Sequence, residues 1–237
     1  MNERTTRGLV IIPAHNEEGS VASLAGRLIR AIPEIDVLVI DDGSRDRTRE
    51  SLLAHSVDHV HHARNLGYVE ALRTGLLVAL EEKRPYVCFF DADGQHRVED
   101  LQQMIRRFAK QDHNQPLDIL IGSRFLTEEG RPTSMLRGFG NKVFCFILYV
   151  LSGRRFTDVS NGLKILSRNA AIHMVSLPLE DAHAELLLSS VRRGFRVEEH
   201  PVTILPREQG KSMITALKAL WYPFRTLLAL LVVYRRT

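Results

Sequence analysis

Along the first half of the chain, short runs of β-branched and apolar residues alternate with stretches whose apolar positions recur every three or four residues. The runs are Leu9–Pro13, Val37–Ile40, Val57–His61, Tyr86–Phe90 and Leu117–Ile121. Between them lie Val21–Ala31, Thr48–Ala54, Val69–Glu82 and Val98–Lys110. The runs predict strands and the periodic stretches predict amphipathic helices. Segments such as VLVI and VCFF are apolar at every position, as a strand requires when both of its faces are covered, and the intervening helices supply that cover. The expected fold is α/β, a mostly parallel open sheet with helices on both faces.

After Ser123 the rhythm changes. A polar link over 127–134 leads to an apolar helix (Leu136–Leu151), a polar turn (Ser152–Asn161), a short strand (Leu163–Leu166) and two further helical stretches. No repeat, low-complexity tract or Pro/Gly-rich linker divides the chain, so residues 1–212 are expected to form one domain. In the tail, 213–237, Ile214, Leu217, Trp221, Phe224, Leu228 and Leu231 form an apolar stripe flanked by Lys218, Arg225, Arg235 and Arg236. Such a C-terminal amphipathic helix suits a membrane interface, with Trp221, Tyr222 and Tyr234 at headgroup level and a kink at Pro223. The alternative is packing on the core or on a membrane-anchored partner subunit.

With 237 residues, 44% of them hydrophobic, the chain can bury a core without a metal or disulfide staple. Its two cysteines, Cys88 and Cys145, lie in apolar runs, a pattern of reduced thiols that points to a cytoplasmic setting. The first apolar run is too short for a signal-peptide core, and Val143–Leu151 and Leu227–Tyr234 fall short of the roughly 20 residues of a spanning helix. The net charge of +4 is uneven: residues 201–237 carry +5 and the rest −1. That placement argues against a nucleic-acid-binding face and for a local anionic partner.

In open parallel sheets ligands bind beyond the carboxyl ends of the strands. Those ends read PAHNEE, DDGS, HARNLG, DADGQH and GSR. Asp, Asn, Gly and Ser are ordinary turn formers, so one such motif alone carries little. Asp91 and Asp93, however, set two carboxylates at the mouth of a buried strand. Hard divalent ions such as Mg²⁺ or Mn²⁺ are held by one or two carboxylates plus substrate phosphates, and Gln95 can add an amide oxygen. The bland reading is a solvated Asp-Gly turn. His55, His59, His61 and His62 cluster in sequence, but strand alternation splits them between faces and no zinc set is completed.

Taken in order, PAHNEE, DDGSRDRT, RNLGYVEALRTGL, DADGQH, IGSRF, TDVSNGLKILSR and GFRVEEHPVTILPREQGKS resemble the family 2 glycosyltransferases of GT-A fold, most closely their dolichyl-phosphate mannose synthase-like branch. The likeness covers most of the chain. His15 stands where an aromatic is common, and Met213 follows GKS where a lysine often does. The resemblance implies a nucleotide-sugar-binding half in 1–125 and an acceptor half in 126–212. It implies base and ribose contacts from Pro13, Asn16, Glu17, Asp41 and Asp42, and a ligand approaching Gly67, with Arg73 following on the same helix. Asp91, Ala92, Asp93 and Gln95 correspond to the metal and diphosphate site. Ser123 and Arg124 line the sugar or acceptor side, although Arg124 can equally be an ion-pair partner. Arg137 and Asn141 resemble an RxxxN element near the acceptor, and Arg207 and Lys211 form a loop suited to phosphate.

The catalytic candidates are Asp93, Asp181, Glu185 and Arg207. Asp181 resembles the acid of hydroxyl-acceptor members and Glu185 the family's ExL position, while Asp181 can also simply cap a helix. The implied reaction is inverting, metal-dependent transfer of a hexose from a UDP- or GDP-linked donor to a polyprenyl phosphate at the inner face of the membrane. A phosphate oxygen is already anionic and needs no strong base, whereas a saccharide hydroxyl acceptor, the second enzymatic reading, needs a carboxylate. The reading from another class is a noncatalytic nucleotide-sugar-binding subunit of a membrane complex.

Overall fold

The computed structural model describes residues 7–110, 116–126, 135–205, 230 and 233–235, with backbone only for 135–139. The chain runs β1 (Gly8–Ala14), α1 (Val21–Ala31), β2 (Ile35–Asp41), α2 (Thr48–Ala54), β3 (His59–His61), α3 (Tyr68–Glu81), β4 (Tyr86–Phe89), α4 (Val98–Ala109) and β5 (Ile119–Ser123). Then follow α5 (Met135–Ser152), β6 (Lys164–Ser167), α6 (Arg168–Ser176), α7 (Ala184–Arg192) and β7 (Val197–Pro201). The strands form one sheet in the order β3-β2-β1-β4-β6-β5-β7. All neighbours are parallel except β6, which runs against both β4 and β5.

The all-apolar strands are buried as their composition requires. Val10, Ile12, Val39 and Cys88 face α1, α2 and α4, while Ile11, Ile40 and Phe89 face α3, α6 and α7. Gly75 lets α3 lie directly on β1, since a Cβ there would meet the Ile11 side chain at 2.5 Å.

Two features place the site. The strand order reverses between β1 and β4, the kind of point where open sheets form a ligand crevice. The antiparallel insertion of β6 also holds the ends of β4 and β5 about 10 Å apart, two strand spacings, and brings the start of β6 to that same rim. Lys164 thus lies between Phe89 and Ile121 in register.

The pattern misses β7. Its sequence, VEEHP, is mostly polar because it is an edge strand with one side open. The loop with Arg207 and Lys211 lies outside the described residues, as does most of the tail. At the tail's far end Leu230 is buried, and the Tyr234 ring lies 4.2 Å from the Arg192 guanidinium on α7. No described helix is long and apolar enough to cross a membrane.

Candidate active site

Two constellations occupy the carboxyl rim of the sheet. The first is built by β1, β2 and β3. Asp41, fully buried, accepts hydrogen bonds from Ser44 N (3.1 Å) and from His61 Nδ1 (2.7 Å). Burial alone would raise its pKa, but the bonds from Ser44 and His61 outweigh that and hold it below the usual carboxylate range. Asp42 takes His62 Nδ1 (2.8 Å), Leu66 N (2.8 Å) and Gly67 N (2.8 Å), clamping the 63–67 loop.

Asn16, at φ 58°, donates its backbone N–H to Ser44 Oγ and accepts Arg45 N on Oδ1, and Glu17 N donates to Thr48 Oγ1. These bonds lock the β1 and β2 loops together, with Pro13 in register opposite Ile40. Gly43 has φ 65°, and a Cβ there would meet the Arg64 carbonyl carbon at 2.3 Å, so no other residue fits this turn. Gly67 also needs its glycine, for φ 97°; open space lies where a Cβ would stand, compatible with the expected ligand approach.

The second constellation gathers on β4 and β6. Asp91 follows the end of β4, accepting Tyr68 Oη–H on Oδ1 (3.0 Å) and contacting His96 Nε2 through Oδ2 (3.3 Å). Burial works to raise its pKa, but His96, His183 and the Tyr68 hydroxyl prevail and bring it to about 2. Burial and the Asp91 charge push the Tyr68 phenol well above its ordinary range, so it stays a donor. Gly162 makes the close fit possible: a Cβ there would stand 2.1 Å from Asp91 Oδ2.

Ala92 is buried, and Asp93 accepts Gln95 N (3.1 Å) in a tight turn. Gln95 holds Leu205 through Leu205 N to Gln95 O (2.9 Å). Leu205, the last described residue before 206–229, therefore sits beside the DADGQ loop.

Beneath Asp91 lies Lys164, 1% exposed, whose ammonium donates to Asn161 O and to His183 Nδ1 (2.8 Å). Burial lowers its pKa to about 8 against the opposing pull of Asp91, Asp181 and Asp158. The His183 ring is kept neutral by burial and the Lys164 charge, and it stacks on Tyr68 at 5.7 Å. Asp181 Oδ1 accepts His183 N (2.6 Å) and Ala184 N (3.1 Å), so its carboxylate sits at the N-terminus of α7, two residues before the N-cap His183. Glu185 is 2% exposed; one oxygen accepts Glu180 N (3.1 Å) while Oε1 is buried without a hydrogen-bond partner. Burial raises its pKa to about 7.

On the β5 side Arg124 forks onto the fully buried Asp158 (2.6 and 2.8 Å), and Ser123 Oγ meets Thr157 Oγ1 (2.6 Å). Asn141 clamps the same loop, donating to Thr157 O (2.7 Å) and accepting from Val159 N (3.2 Å). The Arg137 side chain lies outside the described residues. Arg73, partly exposed and paired with Glu70, ties α3 to the end of α6 through Val175 O (3.0 Å) and Leu177 O (2.8 Å). Residue patterns alone pass over His61, His62, Tyr68, His96, Asp158, Lys164 and His183, all of which bond to residues named from the sequence or to one another.

The donors at the DADGQ loop suit a hard divalent ion. No cluster of three or more His, Cys, Asp or Glu side chains able to hold a metal is present among the described residues. The carboxylates of Asp91 and Asp93 with the Gln95 amide instead match an ion completed by phosphate oxygens and water.

An α/β sheet with its acids at the switch point has the GT-A glycosyltransferase architecture. A solved structure of glucosyl-3-phosphoglycerate synthase from Mycobacterium tuberculosis, in complex with Mn²⁺, uridine diphosphate and phosphoglyceric acid, superposes with a TM-score of 0.70. The two share 15% identity over 97% of this chain and 78% of that one. Residues 9–174 match the family described as Glycosyl transferase family 2, and the chain belongs to that family of glycosyltransferases. Among its relatives, polyprenol monophosphomannose synthase of Mycolicibacterium smegmatis is 28% identical, over 89% of this chain and 82% of the relative. Undecaprenyl-phosphate mannosyltransferase of Micrococcus luteus is 29% identical, over 88% of each.

Proposed function

We propose that this glycosyltransferase moves a hexose from a UDP- or GDP-linked donor to a polyprenyl phosphate at the inner face of the membrane, with inversion and with Mg²⁺ or Mn²⁺ as cofactor. The observation that carries the reading is the carboxylate pair after β4, with Asp91 kept ionised at a rim shared by both halves of the chain. A divalent ion bound there supplies positive charge to the departing diphosphate. The Asp41 and Asp42 loops border the space assigned to the nucleoside. Arg207 and Lys211 carry the cationic chemistry for a phosphate acceptor, on a loop that leaves from beside Gln95. The relatives named for polyprenol and undecaprenyl phosphate support the lipid acceptor. The same-fold structure holding Mn²⁺ and uridine diphosphate supports the cofactor.

The test is nucleoside diphosphate release from UDP- and GDP-hexoses, with undecaprenyl phosphate in detergent or vesicles, with and without Mn²⁺ and chelator. Release that needs both lipid and metal is expected; none with any lipid phosphate sinks the reading. One observation favours a hydroxyl acceptor instead. Glu185, with an unpartnered oxygen and a pKa near 7, is poised as a general base. In that case Glu185→Gln abolishes turnover, whereas it spares transfer to a phosphate.

A further inference from the structure

The cavity between the β1, β2 and β3 loops, about 430 Å³ in volume, includes His15, Asn16, Ser44, Arg45, His61 and Arg64 in its lining. Its size suits a small-molecule ligand. Most of its polar atoms are already committed. His15 Nδ1 donates to Asp42 O (2.9 Å), and its Nε2 accepts from Asn16 Nδ2 (3.1 Å). Asn16 Oδ1 and Ser44 Oγ accept backbone N–H groups. Asp41, the acid the sequence offers as a base contact, is fully buried beneath His61 and Ser44.

His61 keeps one ring nitrogen uncommitted. An ionised carboxylate only accepts, so the bond to Asp41 fixes the imidazole proton on Nδ1. In the Nδ1–H tautomer, Nε2 is an acceptor. His61 makes no other hydrogen bond among the described residues, its side chain is 28% exposed, and it forms part of the cavity wall. The Arg45 and Arg64 side chains, also in the lining, make no ion pair among the described residues. They provide donors beside that acceptor.

We infer that His61 reads the nucleobase of the donor, its Nε2 accepting the ring N–H on the pairing edge of uracil or guanine. Both bases set a carbonyl oxygen beside that N–H, which a guanidinium can meet. Cytosine and adenine carry a ring nitrogen lone pair at that position, which faces the Nε2 lone pair and leaves both without a proton. Asp41 acts through His61 as a positioning residue that sets the tautomer. The inference rests on the donor reading under Proposed function and adds the selecting atom.

The test is calorimetric binding of UDP, GDP, CDP and ADP to the full chain with Mn²⁺. The diphosphate is constant, so affinity ratios isolate the base. Wild type is expected to bind UDP or GDP at least about tenfold more tightly than CDP and ADP, the scale of one hydrogen bond made against one forbidden. His61→Asn can still donate an amide N–H to Asp41 but has no atom at the Nε2 position. It is expected to lose about tenfold for the preferred nucleotide and little for the others, so the ratio collapses.

His61→Gln presents an amide that turns either way and is expected to relax the ratio by improving CDP and ADP. It also keeps the proposal testable should His61→Asn fold poorly. A ratio unchanged in both variants, or an equal loss for all four nucleotides, overturns the inference and leaves the donor reading standing. Wild type binding none of the four overturns both.

Discussion

Gly162→Ala tests whether Asp91 is held by the fit between β4 and the turn before β6. The added Cβ would stand 2.1 Å from Asp91 Oδ2 and 2.7 Å from its Cγ. Gly162 is not among the residues with positive φ, so alanine brings no backbone strain and the clash is the whole perturbation. Ordinary contact needs about 3.5 Å, so the carboxylate must retreat by about 1 Å at Cγ and about 1.4 Å at Oδ2. The bonds from Tyr68 (3.0 Å) and His96 (3.3 Å) cannot both survive that shift. Hydrogen bonds to a charged group contribute about 1.5–3 kcal/mol each, and water recovers part of the loss, so about 2 kcal/mol of stability is expected to go. Displacing a reacting-site group by about 1 Å costs about 100-fold in rate. Urea unfolding and donor-saturated nucleotide release are the two assays. Gly153→Ala is the control: it has φ 71° and nothing near its Cβ, so it is expected to lose about 1 kcal/mol through strain and to keep its activity. A Gly162→Ala enzyme within threefold of wild-type turnover and within about 0.5 kcal/mol in stability would refute the packing argument.

Glu185 has a folded pKa near 7 against an ordinary 4.5, so the folded state holds a proton that the unfolded state releases between those values. Stability should therefore fall as pH rises from about 4.5 to 7, by about 2 kcal/mol, and Glu185→Gln should flatten that slope in urea melts at pH 5 and pH 8; an equal slope in both proteins would contradict it. Lys164 is shifted the other way, to about 8 from 10.5, so stability should rise as pH climbs through that interval in wild type and not in Lys164→Met, as followed by chemical unfolding. Leu28→Ala, at a fully buried position of α1, is expected to cost 2–5 kcal/mol and lower the urea midpoint without changing nucleotide affinity. His62→Phe removes a bond that Asp42 uses to hold the 63–67 loop, so protection of Leu66 and Gly67 amides from hydrogen exchange should drop ahead of global unfolding.

The strands and helices up to β5 were legible because period and burial agree: a strand covered on both faces must be apolar along its covered length, and β1, β4 and the VLVI stretch of β2 are. β7 was not legible, because an edge strand with an open side can carry Glu198 and Glu199. Nor was the direction of β6, since four residues of KILS satisfy a parallel or an antiparallel neighbour equally. That direction decides the chemistry. A parallel β6 would put Lys164 at the opposite edge of the sheet, and the rim below Asp91 would lack its buried cation.

The site acids were legible as residue types at strand ends, but their partners were not, because each partner arrives from another element. His61 and His62 look like a loose histidine cluster in one dimension. In the sheet, parallel pairing sets Asp41 beside His61, and His62 N donates to Asp41 O at the next step, so HH follows DD across the strands. A DD and an HH ending adjacent strands were therefore a readable signal once β2 and β3 were taken as neighbours. No such signal exists for Lys164 and His183, whose meeting depends on both the antiparallel β6 and the cap before α7. The pair shows why a cation belongs there: Asp91, Asp158 and Asp181 lie close enough to act on Lys164, and carboxylates brought together at a partly buried rim without a cation would be pushed toward protonation. A buried lysine that offsets the charge of Asp91 from below leaves the open side of that carboxylate for a ligand, whereas Asp158 is already closed off by Arg124.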